Sequence, residues 1–475
     1  MTDQTQISFT TVDQNADFIE AALFYSNDLK KRRISFNGTE GILFYLESMA
    51  DMELVEQNVI APFHNSKNKE LSKLFTTLSF GVETELNKGI QGLINGGCLY
   101  FVEGISEFYI LSTPAKHERS ITEPLNEAVI RGPHNGFIED MTVNLYLIRK
   151  QITTPNLTVR YFTLGKIAPK KVALIYMENL AKPELVKKVE SRIKKITLDS
   201  VLSTGFIQEL TEDNSYSIFP QHINTERPDH TSFYLLKGYV TILLDGDPTA
   251  LIVPASFFTF YQTPDDYSNR WLIASFVRFI RLIGFVTAFQ LPALYIATVS
   301  FHSSVLPLQL FFTIQGSLTR IPFPPLVEAM LLELIFELLR EAGLRLPSRV
   351  GQTIGIVGGL VIGDAIVKAG LVSYAMIIVV ALTAISSFLI PSNEMSSAIR
   401  FMRFPLMVAA SLFGYIGISF GLTLIFVHLC KLESFGQPYL TPLSPVNIQS
   451  LKDTFLRLPI WSIRKNTSKS EAEEE

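Results

Sequence analysis

RIPFPPLVEAMLLELIFELLREAGLRLPSRVGQTIGIVGGLVIGDAIVKAGL, residues Arg320–Leu371, holds two unlike helices in succession. The first opens after Pro322, Pro324 and Pro325 and stops near Gly343 and Pro347, residue types that suit a helix start and a helix end. It is apolar but charged on one side. At 100° per residue, Glu333, Glu337 and Arg340 fall within roughly a 60° sector, with Glu341 beside it. A charged side chain at bilayer depth costs roughly 2.5–3.5 kcal/mol on insertion scales and needs a partner or water. Glu333, Glu337 and Arg340 are therefore candidates for an intramembrane charge network. The plainer reading lays this helix at the interface, or pairs its carboxylates with Arg340 or Arg349 for structure alone.

The second helix carries Gly351, Gly355, Gly359 and Gly363 at a strict four-residue repeat, which leaves one face almost bare and lets two backbones approach closely. Packing inside one subunit satisfies that pattern. The sharper alternative rings identical helices about an axis, where Val357, Val361 and the backbone line a narrow hydrophobic constriction of the kind that gates by dewetting. Asp364 and Lys368, four apart, then form an ion pair or a charged ring at its mouth.

Working outward, 475 residues exceed one ordinary core, so two or three domains are expected. Charge is uneven along the chain. The runs Leu282–Thr319, Ala369–Asn393 and Phe404–Cys430 contain no Asp, Glu, Lys or Arg, and each exceeds the roughly 20 residues that cross a bilayer. The pattern predicts a polytopic membrane protein with a large soluble head. A net charge of −4 points to neither nucleic acid nor an acidic partner. Cys98 and Cys430 lie far apart, which argues against a disulfide framework. The opening MTDQTQISFTTVDQNADF has neither the basic region nor the apolar core of a cleavable signal, so the head is expected to stay in the cytoplasm.

The expected fold is an α/β head of two subdomains followed by an α-helical polytopic membrane domain. Residues 1–113 form the first α/β subdomain. Helical spacing is read up to about residue 95, including GILFYLESM and ELSKLFTTLSF, then VETELNKGIQGLINGG as a helix stopped by Gly96 and Gly97, and CLYFVEGISEFYILST as a β-hairpin. Residues 114–160 form a charged connector. There Arg119, Glu123, Arg131, Glu139 and Asp140 alternate in sign and are candidates for a head interface. A βαβ-like unit fills 161–268, with strands at LTVRYFTLG and KKVALIYMEN, a helix at PELVKKVESRIKKI and a hairpin turned on Asp245–Pro248. Residues 269–430 are the membrane domain and 431–475 a cytoplasmic tail. Arg270, Arg278 and Arg281 at the start of the apolar region place the head inside. Five spans, near 280–301, 324–341, 350–367, 371–391 and 404–430, put the tail outside, so either 305–319 crosses as well or the basic tail does not set its side.

Enzyme signatures are missing. The histidines at 64, 117, 134, 222, 230, 302 and 428 show no metal-ligand spacing, and there is neither a phosphate loop nor a nucleophile elbow. No catalytic, cofactor or metal residue is assigned. Asp245, Asp265 and Asp266 sit in turn sequences, and His302 and His428 are read as interfacial caps.

The stretch FPPLVEAMLLELIFELLREAGLRLPSRVGQTIGIVGGLVIGDAIV, with SITEPLNEAVIRGP, NTERPD, LLDGDPTALIVPASF, TPDDYSNRW and KLESFGQPYLTP, resembles the A subunit of GerA-type spore germinant receptors. The likeness runs from about Leu99 to Pro459 in the family's order, whereas the first 95 or so residues match only in general character. Where the family's glycine helix often continues with Gln and Ala, this chain has Asp364 and Ala365. The resemblance implies a nutrient receptor subunit in the inner membrane of the endospore. It also implies a transporter-like B subunit and a lipoprotein C subunit as partners, a ring of identical copies, and a nutrient-gated cation path. The competing classes are a non-conducting scaffold subunit, a paralogue that amplifies ion release, and a secondary transporter, which the sequence disfavours because no pair of inverted repeats is visible.

Overall fold

The computed structural model describes residues 6–36, 38–65, 78–116, 123–124, 127, 132–319, 321–345, 363–446, 454–459 and 461. The chain forms two compact units, Met1–Ser215 with Gln221–Ala255, and Tyr216–Pro220 with Ser256–Glu475.

The first unit opens with α1 (Val12–Ala22), β1 (Leu29–Phe36), β2 (Thr39–Leu46), β3 (Phe80–Glu83), α2 (Leu86–Ile94), β4 (Gly97–Val102) and β5 (Phe108–Ser112). It continues with α3 (Met141–Gln151), β6 (Leu157–Leu164), β7 (Lys170–Met177), α4 (Pro183–Lys195), α5 (Thr204–Thr211), β8 (Ile223–Thr225), α6 (Pro228–Leu235), β9 (Val240–Leu244) and β10 (Ala250–Val253). The strands make two five-stranded sheets, ordered β1-β2-β4-β5-β3 and β6-β7-β9-β10-β8. Counted from its own first strand, each sheet has the same order, so one topology occurs twice. Each copy is led by an 11-residue helix, α1 or α3.

Both lead helices are held at their start by one device. The buried Asn15 amide accepts from Phe9 N and donates to Phe9 O, each at 2.8 Å. Asn144 accepts from Ile138 N at 2.8 Å and donates to Ile138 O at 2.6 Å. An amide side chain satisfies both groups of a backbone residue in this way without leaving a buried polar atom unpaired. The apolar faces of α1, α2 and α3 share one core with both sheets, through Ile19, Phe44, Leu93, Leu145, Val159 and Ile175.

The β4–β5 hairpin, the strands β6 and β7, the helix α4 and the β9–β10 hairpin stand where the sequence places them. Two expectations are corrected. GILFYLESM is not helical: its first six residues belong to β2, paired between β1 and β4, because a short apolar run fits a buried strand and a helix equally well. The βαβ-like reading fails too, since β7 pairs antiparallel with both β6 and β9. Most of ELSKLFTTLSF lies outside the described residues.

The second unit contains α7 (Trp271–Phe301), α8 (Leu308–Leu318), α9 (Pro325–Arg345), α10 (Tyr374–Ser387) and α11 (Asn393–Lys431). Helices α7 and α11, of 31 and 39 residues, are long and apolar enough to cross a membrane. At 1.5 Å per residue, the shorter is roughly 46 Å long, against a hydrocarbon core of about 30 Å. Only 28 % and 22 % of their most apolar windows are buried in the protein, too little for core helices of a water-soluble domain. Small residues let α7 pack closely: a Cβ on Gly284 would meet Leu389 Cδ1 at 2.6 Å. Helix α11 contains Pro405 and breaks at Gly414, whose φ of 61° is in the left-handed region. His302 stacks on Tyr415 beside this break, with ring centroids 4.5 Å apart.

Candidate functional site in the helical unit

Helix α9 carries its charges at the four- and three-residue steps that place them on one face. The partners of Glu333 and Glu337 come from α11 rather than from the helix itself. Arg400 Nη1 donates to both oxygens of Glu337, at 2.6 and 2.8 Å. Arg403 Nη1 donates to Glu333 Oε2, and both residues are buried, 2 % and 5 % exposed. Arg340 stands apart. Its guanidinium lies 4.6 Å from the centre of the Phe388 ring, and its Nη2 is 3.4 Å from Ser387 Oγ. The carboxylates therefore do not pair with Arg340, and Arg349 lies outside the described residues. Sequence spacing could not reveal these pairs, because 63 and 70 residues separate the partners. What was available is the insertion cost itself, which applies to Arg400 and Arg403 as much as to the glutamates.

Glu328 is a further residue that sequence reasoning passed over. It is fully buried, and its Oε2 accepts from Ser373 N, at the N-cap of α10, at 2.8 Å. Asp266, read as turn chemistry, also has a larger task. It receives Arg278 Nε at 2.8 Å and Arg281 Nη2 at 3.2 Å. His428 is likewise more than a cap, with Nε2 at 2.9 Å from Ser217 Oγ.

Of the constriction candidates, Gly351, Gly355, Val357, Gly359 and Val361 lie outside the described residues. Gly363 has open space where a Cβ would stand. Asp364 and Lys368 form an exposed pair at 2.6 Å, a kind that contributes little to stability. Among the head candidates, Asp140 caps α3 by accepting from Thr142 N at 2.8 Å, and Glu123 approaches His134 Nδ1 at 3.7 Å. Glu139 is exposed, its backbone O accepting from Gly246 N at 2.8 Å. Arg119 and Arg131 lie outside the described residues.

One titratable cluster is built in the first unit around the NTERPD sequence. Glu127 Oε2 accepts from Thr225 Oγ1 at 2.6 Å, and Arg227 binds Asp229 at 2.7 Å. Burial pushes the Glu127 carboxyl up to about 7, against the opposing pull of Thr225 and Arg227. A carboxyl raised above its unfolded value favours folding below the unfolded pKa, and that contribution is lost as pH rises through the folded one. The expected result is a fall of about 3 kcal/mol in this contribution between roughly pH 4.5 and 7. Glu127→Gln should flatten the decline in melting temperature between pH 5 and 8. Identical slopes for the two proteins would remove the assignment.

Among the described residues no group of His, Cys, Asp and Glu could hold a metal ion, and Cys98 and Cys430 are free thiols.

Fold and site together define a chain with an α/β N-terminal region and a helical part that holds apolar helices of membrane-crossing length and buried ion pairs. The sequence profile of the Bacillus/Clostridium GerA spore germination proteins matches residues 17–469, and the chain belongs to that family. It is 40 % identical over 454 residues to spore germination protein A1 of Bacillus subtilis (strain 168), covering 94 % of each chain. It is 39 % identical over 447 residues to the uncharacterized membrane protein YfkQ of the same organism, covering 92 % of this chain and 87 % of that one. The crystal structure of the N-terminal domain of the A subunit of the Bacillus megaterium spore germinant receptor GerK3 superposes with a TM-score of 0.42 at 25 % identity, over 54 % of this chain and 98 % of that one.

Proposed function

We propose that this chain is the A-type subunit of a nutrient germinant receptor of the bacterial endospore, without catalytic activity or cofactor. The observation that carries the reading is end-to-end likeness to a spore germination protein, 94 % of each chain at 40 % identity. The proposed setting is the inner spore membrane, crossed five or six times, with the head on the cytoplasmic side. The proposed divisions are 1–113, 114–160, 161–268, 269–430 and 431–475. A transporter-like B subunit takes up the nutrient, and a lipoprotein C subunit completes the receptor. Several copies of this chain form a ring in which Gly351, Gly355, Val357, Gly359, Val361, Gly363 and Asp364 bound the cation path. Glu333 and Glu337, paired with Arg403 and Arg400, belong to the charge network that holds it, with Arg340 beside them, and Arg119, Glu123, Arg131, Glu139 and Asp140 belong to contacts between heads. Small side chains on a helix permit such close approach, and a hydrophobic constriction can gate by dewetting.

The test is ion flux through liposomes holding the purified chain, alone and with its partner subunits, comparing the native sequence with Val361→Ala and Gly359→Leu. The expected result is flux that both substitutions change, together with spores that leak or fail to respond to nutrient at normal protein levels. No flux in either setting favours a non-conducting scaffold.

A further inference from the structure

We propose that the open cavity between α9, α10 and α11 binds a phosphate oxyanion with a hydroxyl beside it, as in the headgroup of an anionic glycerophospholipid. The cavity measures about 340 Å³ and is lined by Glu333, Glu337, Arg340, Arg400 and Arg403. Three guanidinium groups face two carboxylates there, so one positive charge is left over among the described residues. The hydrogen bonds divide in the same way. Both oxygens of Glu337 accept from Arg400, whereas Arg403 gives only Nη1 to Glu333. Arg403 Nε and Nη2 are buried and unpartnered among the described residues, as is Glu333 Oε1. Nε and Nη2 form one edge of the guanidinium, the fork that grips two oxygens of a phosphate or carboxylate. Glu333 Oε1 is then an acceptor for a neighbouring O–H, which a glycerol headgroup carries. Arg340, with no carboxylate partner among the described residues, supplies the balancing charge. Phe336, Leu339 and Ile385 line the same cavity and offer an apolar wall along which an acyl chain can lie. The inference does not depend on the conduit reading, since it concerns binding alone.

The experiment is a melting-temperature titration of the purified full chain in detergent, with native mass spectrometry of retained ligand. The probes are phosphatidylglycerol, phosphatidylcholine and inorganic phosphate at matched ionic strength. Phosphatidylglycerol should stabilise the native sequence where phosphatidylcholine does not. In Arg340→Gln its half-saturating concentration should rise about tenfold or more, the loss expected when one charge-assisted contact goes. Lys368→Gln, which touches only an exposed pair, should leave the titration unchanged. Arg403→Lys keeps the charge beside Glu333 but removes the fork, and it should weaken binding in the same sense if Arg340→Gln does not fold. Stabilisation by inorganic phosphate alone would assign the oxyanion to solution rather than to lipid. Equal behaviour of all three probes, or an unshifted titration in both arginine variants, would overturn the proposal.

Discussion

Arg403→Met should cost the helical unit about 3–5 kcal/mol, because it leaves the buried Glu333 carboxylate without its ion-pair partner. Glu333→Met should cost a similar amount by stranding the guanidinium. The combined Glu333→Met and Arg403→Met variant should return close to the native value or exceed it, since a buried pair replaced by apolar residues of similar size is often neutral or stabilising. Glu337→Gln offers the contrast. Its partner Arg400 is 19 % exposed and Glu337 itself 36 %, and the amide still accepts from Arg400, so a loss of only about 1 kcal/mol is expected. Chemical unfolding of the full chain in lipid nanodiscs reads all four variants. A Glu333 single variant as stable as native, or a double variant as unstable as the sum of its singles, would refute the account.

A comparable loss, about 3–5 kcal/mol, is expected from Asp28→Ala in the first unit. Asp28 is fully buried and receives Arg149 Nε at 2.7 Å, Ser48 Oγ at 2.7 Å and Ser48 N at 3.1 Å. Arg149 is 2 % exposed and, among the described residues, otherwise reaches only Leu157 O, at 3.4 Å. The pair joins α3, ahead of the second sheet, to the segment that enters β1 of the first. Without Asp28 the guanidinium stays buried beside one weak acceptor, and the halves of the unit should separate more readily. Limited proteolysis of the full chain should then cut between α3 and β6 faster than in the native protein. Substitution of Arg33, whose partners Asp13 and Glu40 are exposed, should change neither stability nor cleavage measurably. Native-like cleavage in Asp28→Ala would dismiss the joint as a stabilising feature.

The two losses share a reason for being hard to foresee. Local patterns were legible: the aromatic hairpin β4–β5, the Pro-started helix α4 and the β9–β10 turn at Asp245–Pro248 all follow from spacing and turn chemistry. Partnerships were not. Asp28 and Arg149 lie 121 positions apart, and nothing in the surroundings of either distinguishes a buried pair from a solvated charge. Helix α3 was hidden for the same reason, because the charges at its ends made 114–160 read as connector. Strand β1, LKKRRISF, was hidden by its cations, which sit on an edge where they pair with Glu20, Asp13 and Glu56. The charge stripe of α9 was visible, but its partners on α11 depend on the tertiary fold.

The doubled strand order of the first unit carries a consequence for how such halves can associate. The second half offers its outer strand to a loop of the first: Asn27 N donates to Val159 O at 2.8 Å, and Tyr161 N donates to Asn27 Oδ1 at 2.9 Å. This is a head-to-tail contact between like folds, and such contacts propagate unless something ends the series. In the first half, the positions that match Val159 and Tyr161 are Lys31 and Arg33. Cations along an outer strand discourage another strand or loop from adding there. Its cations therefore make β1 a poor acceptor for a further loop at that end of the pair.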